Sequence, residues 1–87
     1  MVEQEIIIGN ILGIHARPAA LIANKATLFD AEIWLVKDGK SANAKSIMEV
    51  MVLAAEWKSK VVIRAQGTDE KKAVDELVAL FASNFDE

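Results

Sequence analysis

Val2 to Ile8 is dense in β-branched residues and stops at Gly9 and Asn10, which predicts a first strand running into a loop. From Pro18 to Phe29 the apolar positions recur at helical spacing, so that Pro18, Leu21, Ile22, Ala26 and Phe29 can share one face of a first helix. Ala31 to Val36 returns to strand character with Ile33, Trp34, Leu35 and Val36. Asp38 and Gly39 then offer the positive φ angles that a tight hairpin turn requires. A short, more polar third strand is expected near Lys40 to Ala44, and Ser46 precedes a compact helical stretch. Val61, Val62 and Ile63 place a fourth strand at Lys60 to Ala65, which Gly67 closes. Thr68 or Asp69 is expected to cap a last helix whose Ala73, Val74, Leu77, Val78 and Phe81 form an apolar stripe, with Asp69 and Glu70 favourable at its positive end. The predicted order is βαββαβα. Helices alternating with strands in so short a chain pack on one face of a single sheet, giving an open-faced α/β (α+β) sandwich.

Composition narrows the picture. With 87 residues, 53% of them hydrophobic, one compact domain spanning residues 1–87 is expected. The formal net charge of -3 gives no general attraction to phosphate backbones, so no direct nucleic-acid partner is expected. The chain has no cysteine, which excludes a disulfide framework, a thiolate metal site and thiol catalysis. A single histidine cannot build the usual zinc site, and neither metal nor cofactor is expected. Glu3 and Glu5 precede the brief run Ile6 to Ile8, unlike an export signal. No apolar run approaches the roughly 20 residues of a membrane-spanning helix, so a cytoplasmic protein without membrane insertion is expected. A monomer is expected too, since no heptad pattern is present.

The chemistry concentrates at Gly13, Ile14, His15, Ala16, Arg17, Pro18, Ala19 and Ala20, where the sole histidine and an arginine meet a helix start. Proline is tolerated in a first helical turn because its missing N–H belongs to the set with no intrahelical partner. With His15 at or just before the N-cap, the N–H groups of Ala16 and Arg17, aided by the helix dipole, can hold an anion. Arg17 adds a forked, permanently charged donor for two phosphate oxygens. No Asp or Glu lies between Asn10 and Phe29, whereas Arg17 and Lys25 are positive, which predicts a cationic corner on an acidic protein. A neutral imidazole is nucleophilic near pH 7 and, once phosphorylated, a good leaving group. The plainer alternative is that His15 only caps the helix.

Ser46, Ile47, Met48 and Glu49 match a capping box, in which Ser46 accepts from the Glu49 amide and Glu49 reaches back to the Ser46 amide. A phosphate on an N-cap serine would also be favoured by the helix dipole, so a regulatory role stands beside the structural one. From Ile47 to Ala55 the stretch is apolar on nearly every side, more than a domain this small can bury. Ile47, Met48 and Met51, beside the serine, are therefore expected to face outward and dock partners.

These residues resemble the histidine-containing phosphocarrier (HPr) family of the bacterial phosphoenolpyruvate-dependent phosphotransferase system. The likeness covers essentially the whole chain, with Gly13 to Ala19 similar to the phosphorylation-site motif and Lys45 to Met48 to the regulatory serine motif. It implies a four-stranded antiparallel sheet with three helices on one face. It also implies that His15 accepts phosphate on its δ nitrogen from enzyme I and donates it to enzyme IIA components, with Arg17 assisting. Ser46 is by the same resemblance a candidate for HPr kinase/phosphorylase, and Ala20, Ile47, Met48 and Met51 are candidates for the shared docking surface. Many members with the regulated serine carry glycine where this chain has Glu49, whose carboxylate would repel a phosphoserine. Phe29, Asp30, Ala31, Glu32 and Asn84, Phe85, Asp86, Glu87 are also similar to the nitrogen-branch carrier, whose partners control regulation more than sugar uptake. Sugar uptake and regulation both stay open, as does a pure binding module switched at Ser46.

Overall fold

The computed structural model describes residues 1–53 and 55–86. Its elements follow the expected order: β1 (Val2–Ile7), α1 (Ala16–Ala26), β2 (Glu32–Lys37), β3 (Lys40–Asn43), α2 (Ile47–Leu53), β4 (Lys60–Gln66) and α3 (Glu70–Ala82), then a short turn at Asn84–Asp86. The four strands form one antiparallel sheet in the order β1-β4-β2-β3. Register places Leu35 opposite both Ala42 and Ile63, and Ile33 opposite Ala65. Because side chains alternate along a strand, Ile33, Leu35, Ala42, Val61, Ile63 and Ala65 all point to one face, where they are buried. Ile22 of α1, Val50 of α2 and Leu77 of α3 close over that face. On the other face Trp34, Val36, Val62 and Arg64 stay half-exposed, as an open-faced sandwich requires. No helix among the described residues is long and apolar enough to cross a membrane.

The hairpin between β2 and β3 turns at Asp38 (φ 50°) and Gly39 (φ 77°), matching the turn expected from those two residues. Helix α1 is displaced from its expected span. It starts at Ala16, so Pro18 is its third residue, still within the turn whose N–H groups have no partner inside the helix. It stops at Ala26. Phe29 is buried all the same, carried into the core by a turn in which its N–H bonds the Ala26 carbonyl. The buried stripe is Pro18, Ala19, Ile22, Ala23 and Ala26, and Leu21 is only half-buried.

Asp69 is the N-cap of α3, yet its side chain makes no capping bond. Its carboxylate instead accepts the N–H groups of Asp30 (2.9 Å) and Ala31 (2.8 Å), tying the entry of β2 to the start of α3. Glu70 turns back to accept the Gly67 N–H at 3.1 Å. The Asp30 amide is the largest influence holding the Asp69 carboxyl below its ordinary value of 3.8. A depressed carboxylate stabilises the fold above its unfolded pKa, and that stabilisation is lost as pH falls through the folded value. Asp69→Asn is therefore expected to lower the melting temperature at pH 7, with the gap from wild type narrowing as pH falls below the ordinary carboxyl value of 3.8. Thermal unfolding of both proteins across that range checks it, and a pH-independent gap would refute the charge-based account.

Candidate functional site

The loop that delivers His15 is pinned along its length. The Ile8 N–H donates to the Ser59 carbonyl (3.0 Å), Lys58 N–H to Ile8 (2.8 Å), and Ile14 N–H to Ala55 (2.9 Å). Within the loop, Gly13 N–H donates to the Asn10 carbonyl and the buried Asn10 amide donates back to the Gly13 carbonyl at 2.6 Å. Gly13 has φ +68°, and a Cβ there would lie 2.6 Å from the Ala55 carbonyl oxygen, so this approach admits only glycine. Ile14 is buried, and the next residue is released to the surface.

His15 is the N-cap of α1, with an extended backbone (φ −100°, ψ −168°), and its carbonyl accepts the Ala19 N–H at 2.9 Å. The ring makes no capping hydrogen bond, so plain capping is not what the side chain does. It is half-buried, with Nε2 withdrawn from solvent. Ala16 and Arg17 are exposed at the first two helical positions, whose N–H groups have no carbonyl one turn earlier in the helix. That places the positive end of a helix dipole beside the His15 ring.

Arg17 donates from Nη1 to the Phe85 carbonyl at 2.9 Å. Sequence reasoning marked Phe85 only in the likeness to the nitrogen-branch carrier and missed its place beside Arg17, although it continues the four-residue spacing of Leu77 and Phe81 on α3. The Phe85 ring is buried and meets Phe81 edge-on, centroids 5.0 Å apart. Asn84, Phe85 and Asp86 all have φ between 52° and 59°. For L residues that left-handed backbone costs roughly 1–2 kcal/mol each, somewhat less for Asn and Asp. Burying the phenylalanine ring offsets about 3 kcal/mol of it.

The expected cationic corner is smaller than the sequence implies. Lys25 lies in the last turn of α1, at the end away from His15, and pairs with Glu76 of α3 at 3.6 Å. Lys25 braces two helices, and the positive charge beside His15 is that of Arg17.

Helix α2 packs against α1. Ile47, Met48 and Met51 are exposed as expected, Met48 at 74%, and Ala20 is half-buried. The apolar surface extends further. Ile11 (75% exposed), Leu12 (74%) and Trp57 (48%) join Met51 around a shallow depression that Ile14 connects to His15. Ile11 and Leu12 stand between Asn10 and Gly13, where no strand or helix needs apolar side chains, and that placement was the available signal.

Half of the capping box at Ser46 forms. The Glu49 N–H donates to the Ser46 hydroxyl at 3.2 Å. The other half is corrected, because the Ser46 N–H already donates to the Asn43 carbonyl, and the Glu49 carboxylate accepts the Asn43 N–H at 3.1 Å.

A small open-faced sandwich with a histidine at a helix N-cap and an arginine in the first turn is the frame of a phosphocarrier. Residues 2–83 match the family described as the PTS HPr component phosphorylation site. The phosphocarrier protein HPr of Treponema pallidum is 44% identical over 87 residues, covering 100% of this chain and 99% of that protein. The HPr-like protein Crh of Bacillus subtilis is 44% identical over 79 residues, 91% of this chain and 93% of Crh. The crystal structure of HPr from Thermoanaerobacter tengcongensis superposes with a TM-score of 0.96 at 46% identity, covering 100% of this chain and 98% of that one. The chain belongs to the HPr family of the phosphotransferase system, whose HPr members are phosphocarriers rather than catalysts.

Proposed function

We propose that this chain carries a phosphoryl group on Nδ1 of His15, taken from enzyme I charged by phosphoenolpyruvate and passed to enzyme IIA components for sugar uptake or regulation. The observation that carries the reading is the state of His15: an N-cap whose ring is not spent on capping and whose Nε2 is covered, which favours chemistry at Nδ1. In the acceptor step the Nδ1 lone pair forms the new N–P bond. The donor N–P bond breaks, its electron pair returning to the donor nitrogen, while the His15 proton stays on Nε2. The Ala16 and Arg17 amides and the Arg17 guanidinium balance the charge on the transferred oxygens. Reversal uses the same groups, so the protein supplies a covalent phosphohistidine intermediate and needs no metal or cofactor of its own.

Ala20, Ile47, Met48 and Met51, extended by Ile11, Leu12 and Trp57, form the partner-docking surface in this reading. The carrier works in the cytoplasm. HPr of Thermoanaerobacter tengcongensis has also been solved as a dimer, with a TM-score of 0.80 to this chain. A monomer is the form in which we propose that this chain presents His15. Similarity to Crh favours a second reading, a regulatory module phosphorylated at Ser46 by HPr kinase/phosphorylase.

Intact mass after incubation with phosphoenolpyruvate and enzyme I, before and after brief acid treatment, tests the first reading. One acid-labile phosphate is expected in the wild type and none in His15→Ala. No adduct, with enzyme I active on a control carrier, would overturn it. An acid-stable phosphate formed with the kinase and ATP, and lost in Ser46→Ala, would support the second.

A further inference from the structure

Helix α2 carries two apolar ridges. At about 100° per residue, Ile47 and Met51 share the side that meets the depression next to His15, while Met48 and Val52 stand about 100° further round. Val52 is 78% exposed, the most of any large apolar residue among those described, and phosphoryl transfer gives it no task. Met48, Val52 and Leu53 line a groove of about 330 Å³ whose opposite wall is Lys40, Ser41 and Ala42 of β3. Strand β3 is an edge of the sheet, and its alternation decides what the groove meets. The Ala44 N–H donates inward to the Ile33 carbonyl, so Ala42 also bonds toward β2, and the main-chain groups of Ser41 and Asn43 point out of the sheet. Those of Asn43 are taken, its N–H by the Glu49 carboxylate and its carbonyl by the Ser46 N–H at 3.0 Å. Those of Ser41 meet no partner among the described residues, and Ser41 is exposed.

We propose that this groove is a second docking site, which takes an extended acidic segment of a partner protein as a short antiparallel strand against Ser41. The residue facing Ser41 exchanges both main-chain hydrogen bonds with it. Side chains alternate along a strand, so the two neighbours of that residue turn to the helix side, as Lys40 and Ala42 do. The neighbour opposite Ala42 is aliphatic and packs on Met48, Val52 and Leu53. The neighbour opposite Lys40 is acidic, because Lys40 supplies positive charge at that end, whereas Glu49 on the Asn43 amide repels a carboxylate at the other. From N to C the segment therefore runs aliphatic, any residue, acidic, and the occupied groups of Asn43 keep the pairing short. Met48 borders both this groove and the surface around His15, so one partner can grip the two together. The groove owes nothing to phosphoryl transfer, and either role can fail without the other.

Titration of the full chain with the peptide acetyl-Ser-Leu-Thr-Glu-Ser-amide, followed by NMR, tests this. The Ser41 amide should shift and its solvent exchange slow about tenfold as it gains a hydrogen bond, while the amides of β1 at the far edge stay unchanged. Val52→Asp should weaken binding about tenfold by removing the apolar wall, and Lys40→Glu about threefold by reversing the exposed charge. Both side chains are exposed, so unchanged amide shifts in β4 will show that the variants are folded. A peptide methylated on the threonine nitrogen, which cannot donate to the Ser41 carbonyl, should not bind. Millimolar peptide that leaves Ser41 unmoved, equal binding when lysine replaces the glutamate, or shifts confined to Ile11, Leu12 and Trp57 would each overturn the proposal. Ser41 shifts that grow with protein concentration in the absence of peptide would give the groove to a second copy of the chain and overturn it as well.

Discussion

Arg17→Ala should slow phosphoryl transfer to His15 by about 100-fold, near the lower end of what removing one charge-stabilising donor costs an active centre. The lower end is appropriate because Arg17 is exposed, and solvent screens a guanidinium there more than in a closed pocket. Two other donors, the amides of Ala16 and residue 17 itself, survive the substitution, so transfer is slowed rather than abolished. Arg17→Lys should recover part of the loss, since it restores the charge without the planar fork that meets two oxygens at once. A mass-spectrometric time course at fixed enzyme I checks this. An Arg17→Ala rate within threefold of wild type would mean that the helix start alone carries the developing charge. Higher ionic strength should narrow the gap between wild type and variant, because the lost term is electrostatic.

The order of elements was legible because each segment carries a consistent period, from the β-branched Val61 to Ile63 to the stripe of Ala73, Leu77 and Phe81 on α3. The tight turn at Asp38 and Gly39 was legible for the same reason, its residue types allowing little else. What escaped lies where a side chain serves a distant backbone group. Asp69 reads as a helix cap from its neighbours, yet it spans 39 positions to the amide of Asp30, a contact that only the closed sheet creates. Lys25 reads as part of the phosphate corner from its place in the sequence, but roughly 1.5 Å of helix rise per residue carries it from His15 to the far end of α1. Phe85 looks like a tail residue after Ser83. Its burial depends on a left-handed turn that a phenylalanine rarely adopts, and with it the bond to Arg17 was invisible. The placement of His15 and Arg17 together at a helix start needed only local reasoning, whereas the contacts that support it did not.

Those supports can be weighed by comparing two glycines that share a backbone sign. Gly39 has φ +77° with nothing within 4 Å of where a Cβ would stand, so Gly39→Ala meets only the conformational cost of a left-handed alanine, about 1 kcal/mol. Gly13 has φ +68° and would also drive its Cβ to 2.6 Å from the Ala55 carbonyl oxygen and 3.1 Å from the Glu56 Cα, both backbone atoms unable to swing aside. Gly13→Ala should therefore cost about 3 kcal/mol, conformational and steric terms together. In a domain of this size that is a fall of roughly 15 °C in melting temperature, against about 5 °C for Gly39→Ala. The Ile14 N–H to Ala55 bond is the first contact the displaced loop would lose, and His15 follows it by one residue. Gly13→Ala should for that reason also slow acceptance of phosphate at temperatures where it remains folded, while Gly39→Ala, at the β2–β3 hairpin, should leave the rate unchanged. Equal stability losses from the two substitutions would show that the 10–14 loop yields around an added methyl, and that the position of His15 is set by helix α1 alone.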